Sequence, residues 1–129
     1  MGSSNLVLSF IFAVGLAMEQ ITSASQQESL YWLDAHNAAR RMAGTPMMKW
    51  NTTLVDYSGS YLNQTTKDCK FMASKGPYGE NSMIVEKAST TPTEIVAVWM
   101  KEKEYYDSSK SICIKPCYHY TQVQFECIS

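Results

Sequence analysis

Two ionisable residues stand among turn-formers, aromatics and a cysteine: Glu80 in Gly76-Pro77-Tyr78-Gly79-Glu80-Asn81, and His119 in Cys117-Tyr118-His119-Tyr120-Thr121-Gln122. A third, Glu102, continues the helical stripe of Ile95, Val98 and Trp99 toward Tyr106. Two carboxylates and an imidazole can act as acid and base around a water, with His119 moving protons or holding a metal. A carboxylate on an apolar stripe needs a cation, a metal or hydrogen-bond donors; otherwise its pKa rises. Periodicity leaves two readings of Glu102 open: it faces inward, or the helix rotates and it pairs with Lys103 at the rim. The Gly-Pro-Tyr-Gly turn can aim Glu80 inward, although an exposed turn carboxylate is the commoner outcome. His36, beside Asn37 and one turn before Arg40, reads as structural. The sequence holds no Gly-x-Ser-x-Gly, phosphate-binding glycine loop or paired helical histidines.

These side chains need elements to position them, and three helical stretches are predicted. The first covers about Ser25 to Met42, opened by Ser25-Gln26-Gln27-Glu28 with Tyr31, Ala35, Ala38 and Met42 as its stripe, and ended by Gly44-Thr45-Pro46. The second covers about Asn51 to Asp68, with Leu54, Tyr61, Leu62 and Cys69 on one side and Gly59 weakening its middle. In the third, Thr91-Pro92-Thr93-Glu94 combines an N-cap, a proline at the first helical position and a capping-box glutamate. A short strand at Ser82 to Val85 and a β-branched, aromatic strand from His119 to Phe125 complete an α+β pattern.

Leu6 to Met18 is nearly all apolar yet short for a bilayer span, and Thr22-Ser23-Ala24-Ser25 offers small residues for cleavage. Residues 1–25 therefore read as a secretory signal and residues 26–129 as one modest domain. The chain carries 12 acidic and 11 basic residues, so removing Glu19 with the leader balances the charge. Nothing in that balance points to nucleic acid or an anionic membrane, and no other apolar run invites stable membrane insertion.

Four cysteines in a chain bound for an oxidising compartment predict disulfides, with three pairings open. Cys113 and Cys117 can close a tight loop around Pro116, leaving Cys69 with Cys127. Zinc binding by the cysteines is the rival, but no Cys-x-x-Cys pair is present. With every thiol offered a partner, cysteine nucleophilic catalysis is unattractive. Asn51-Thr52-Thr53 and Asn63-Gln64-Thr65 are glycosylation sequons, making Asn51 and Asn63 candidate acceptors.

Several ordered strings resemble the CAP superfamily of secreted cysteine-rich proteins, and within it the plant pathogenesis-related proteins of group 1. They are Leu33-Asp34-Ala35-His36-Asn37-Ala38-Ala39-Arg40, Lys49 to Leu54, Asp68-Cys69-Lys70, Gly76 to Asn81, Trp99 to Lys103 with Tyr105-Tyr106-Asp107, and Cys117 to Val123. The resemblance implies a three-layer α-β-α sandwich. It also implies a central cleft of two histidines and two glutamates, falling here on Glu80, Glu102 and His119. Ala73 stands where the first histidine is expected. Some relatives bind zinc through both histidines; with one imidazole missing, His119 is left as the sole histidine ligand, so no cofactor is expected beyond a weak zinc. Family members continue past a Val-Val-Trp string with more strands and cysteines. Here Val123-Gln124-Phe125-Glu126-Cys127 leads to Ser129, implying a sandwich incomplete at its C-terminal strands and making Cys127 a loose counterpart of the usual partner of Cys69.

The expected function is that of a defence-associated module of the plant apoplast, secreted, monomeric, and binding a sterol, lipid or other ligand rather than catalysing. The alternatives are a hydrolase working through Glu80, Glu102 and His119, and an inactive degenerate relative.

Overall fold

The computed structural model describes residues 25–65 and 72–125. The predicted secretory leader up to residue 24, together with Cys69 and Cys127, lies outside the described residues. Helix α1 covers 25–43 and α2 covers Thr52–Thr65; α3, Pro92–Met100, tightens into a 3-10 turn at Lys101–Tyr105. Strands β1, Tyr106–Asp107, and β2, Ile112–Cys113, pair antiparallel, and helix α4 spans Tyr118–Gln124. The fold is α+β with few strands: this two-stranded ribbon is all that the described residues hold of the expected sheet layer.

Helix α3 starts as its residues dictate. The Thr91 hydroxyl accepts from Glu94 N, Pro92 needs no donor in the first turn, and Glu94 returns a carboxylate oxygen to Thr91 N at 2.7 Å. Ile95, Val96 and Trp99 are buried, whereas Val98 is exposed, so the inward stripe is rotated from the predicted one. The same correction applies to α1. Ala35, Ala39, Asn37 and Arg40 face inward with Trp32 beside them, while Tyr31, Ala38 and Met42 stay outside.

Two strand predictions fail. Residues 82–85 carry no strand, and residues 118–124 form a helix. A strand must find a partner for its N–H and C=O groups, and β1 and β2 already pair with each other. A helix satisfies that requirement internally. It also buries Tyr120, Val123 and Gln124, an i, i+3, i+4 set that alternation would have scattered over two faces.

Helix α4 is locked into the core by polar bonds at both ends. The buried Arg40 guanidinium donates from Nη1 to Val123 O at 2.8 Å and from Nε to Pro46 O at 2.5 Å. Val123 O is one of the last carbonyls that a helix leaves without an internal partner. Gln124 donates to Ala39 O at 3.4 Å and its Oε1 accepts from Thr45 at 3.3 Å, tying α4 to α1. Ahead of α4, Cys113 and Cys117 form a disulfide with a Cα separation of 5.7 Å, which holds β2 against the helix start.

Candidate functional site

Glu102 lies in the 3-10 turn after α3, where the tightened backbone aims its carboxylate at the start of α4 rather than at Lys103. Oε1 meets His119 Nδ1 at 2.7 Å, and Oε2 accepts from His119 N at 2.9 Å and Tyr120 N at 3.2 Å. Helix α4 has no side-chain cap of its own at Cys117, so a residue 17 positions earlier supplies one. Both Glu102 oxygens are thereby engaged. The ring of His119 lies parallel to Trp99, with centroids 6.0 Å apart and an interplanar angle of 6°.

The loop of residues 76–81 lies directly on α4. A Cβ at Gly79 would strike the Gln122 amide, and Asn81 donates to His119 O at 2.9 Å. Glu80 turns to its own loop instead, its two oxygens accepting from Ser74 N at 3.1 and 3.0 Å. Ala73 precedes that amide and is exposed. Of the four cleft positions expected from sequence, the structure thus pairs Glu102 with His119, while Glu80 anchors residues 74–80. The two sequon asparagines are exposed at opposite ends of α2, Asn51 capping it through Oδ1 to Thr53 N at 2.9 Å.

Zinc does not fit this donor set. Among the described residues no three His, Cys, Asp or Glu side chains gather in a way that could hold a metal ion. The Glu102 oxygens already serve His119 and Tyr120.

Sequence reasoning passed over Trp32 and underrated His36. They lie one turn apart on the inward face of α1, a spacing that could have flagged the pair. His36 Nδ1 sits 2.9 Å from Trp32 O, and its ring leans on Trp99 at a centroid distance of 6.0 Å. Burial lowers its pKa below 6.5; the Trp32 carbonyl opposes that shift and the Arg40 charge adds to it. At neutral pH the imidazole is therefore uncharged, and because a carbonyl can only accept, Nδ1 carries the proton.

Trp32, His36, Met48, Gly79, Asn81, Trp99 and Gln122 line a small, half-open chamber of about 250 Å³. It adjoins a larger groove of about 560 Å³, to which Trp32, His36, Met48, Gly79 and Asn81 also contribute. The far wall of the groove is α2. That helix buries no residue; Leu54, Val55, Tyr57, Tyr61 and Leu62 line the groove instead of a core. Tyr57 and Tyr61 donate across it to Ser74 Oγ and Met72 O, bracing α2 against the 72–82 loop.

The Cysteine-rich secretory protein family, CAP, matches residues 33–124, which span most of α1 through α4. The chain belongs to this family. Among curated proteins, this CAP chain is 39% identical over 104 residues to Pathogenesis-related protein 1A1 of Solanum lycopersicum, covering 79% of this chain and 59% of that protein. It is 38% identical over 103 residues to the basic form of pathogenesis-related protein 1 of Nicotiana tabacum, covering 79% and 58%. It is 32% identical over 120 residues to Pathogenesis-related protein 1 of Arabidopsis thaliana, covering 93% and 73%. The chain spans about three fifths of the length of the first two of these relatives. No solved structure matches.

Proposed function

We propose that this CAP chain is a secreted, defence-associated binding module of the plant apoplast, acting as a monomer and taking a sterol or another lipid into the groove beside α2. The observation that carries this reading is the placement of α2. A helix with apolar residues on one side and none buried leaves that surface in the groove, where a lipid body would cover it. At about 560 Å³ the groove falls in the range of small-molecule sites. The curated relatives, named as pathogenesis-related proteins, supply the defence setting. Among the described residues no helix is long and apolar enough to cross a membrane.

Titration of the oxidised, secreted chain with ergosterol tests the proposal, because Trp32 and Trp50 line the groove and report occupancy by fluorescence. Saturable quenching is expected. A linear response matching that of free tryptophan removes the lipid part of the reading.

A further inference from the structure

The small chamber and the larger groove share the stretch of wall made by Trp32, His36 and Met48 on one side and Gly79 and Asn81 on the other. The groove therefore opens onto the chamber. The chamber lining contains no Lys, Arg, Asp or Glu. Its polar groups are an imidazole, an indole and two side-chain amides.

We propose that this chamber is a head-group subsite for a neutral alcohol, with His36 Nε2 accepting the hydrogen bond of the ligand hydroxyl. The proposal rests on the lipid-binding reading and deepens it by naming the class of head group. Two observations carry it. With Nδ1–H donated to Trp32 O, the neutral ring presents Nε2 as a bare acceptor on its other side. That nitrogen has no hydrogen-bond partner among the described residues, although His36 lines both cavities.

The wall thus offers an acceptor at His36 Nε2. A hydroxyl has a proton to give it. A carboxylate brings only acceptors and a charge, and the chamber holds no cation to meet it, so its desolvation is uncompensated. An ester offers no proton to Nε2. Burial, with the Arg40 charge, disfavours a proton on His36 against the pull of the Trp32 carbonyl, so the ring offers an anion little.

The test uses the full oxidised chain with matched probes: ergosterol against ergosteryl acetate, and octadecanol against stearate, each followed by tryptophan fluorescence. The alcohols are expected to bind about tenfold tighter than their partners, the effect of leaving one buried acceptor unmet. His36→Phe, which keeps a flat ring beside Trp32 and Trp99, is expected to bring the ratio of alcohol to partner affinity close to one. If alcohols and their partners bind equally to the natural chain, the subsite is wrong even though the groove binds lipid. If no probe binds saturably, the lipid reading itself fails and takes this subsite with it. The comparison on the natural chain decides the matter even where the variant does not fold.

Discussion

The Glu102 carboxylate grips His119 twice, through the ring at Nδ1 and through the backbone N–H, at 2.7 and 2.9 Å. Glu102 therefore fastens α4 to α3 and sets the orientation of the imidazole against Trp99. Glu102→Ala strips the acceptor from the His119 and Tyr120 amides together and should cost about 2–3 kcal/mol in urea unfolding. His119→Ala leaves both backbone bonds in place and should cost about 1 kcal/mol. Equal losses from the two substitutions would show that the ring contact, not the helix cap, carries the stability.

His36 makes the fold sensitive to mild acid. Its folded-state pKa lies below the ordinary value of 6.5, so the unfolded chain takes up the proton first. Stability from this group is complete above pH 6.5 and declines as the pH falls below it, until the folded-state value is passed. Denaturation midpoints measured between pH 7.5 and 5 should fall for the natural chain and stay flatter for His36→Phe. Parallel pH profiles would assign the decline to other groups.

A second acid-sensitive element lies at the start of α3. The Glu94 carboxyl titrates below its ordinary 4.5 because Thr91 donates to it from both backbone and hydroxyl. Its contribution is present above pH 4.5 and is lost as the pH falls through the lowered folded-state value. Thr91→Val removes the hydroxyl from both sides of the box, and helix content by circular dichroism should then respond less to acid between pH 5 and 3. An unchanged acid response would remove the capping box as its source.

Two glycines should respond to alanine in opposite directions. At Gly59, inside α2, an added Cβ meets nothing within 4 Å, so Gly59→Ala should stabilise by about 0.5–1 kcal/mol through helix propensity. At Gly79 the same methyl meets only the far end of the Gln122 side chain, which must swing aside, for a loss of about 1 kcal/mol or less. Thermal unfolding of the two variants beside the natural chain checks both signs.

What could be read along the chain was local in cause. The Thr91 to Glu94 cap, the proline after it, the helical spans of α1 to α3 and the closeness of Cys113 to Cys117 depend on neighbours in sequence. The ordered CAP strings were legible for a related reason, since spacing along the chain survives without any knowledge of packing. Helix faces were less legible. Val98 and Met42 are apolar yet exposed, while Arg40 is buried because distant carbonyls at Pro46 and Val123 receive it.

Tertiary structure alone decided three matters. It made residues 118–124 a helix, because a β-prone segment becomes a strand only where another edge offers it hydrogen bonds. It divided the expected cleft carboxylates, giving Glu102 to the α4 amides and Glu80 to Ser74, because a carboxylate goes to whichever donors folding brings within reach. It raised His36 from a helix residue to the wall shared by chamber and groove, a role that needs Trp99 and the 79–81 loop beside it and cannot be written into α1 alone.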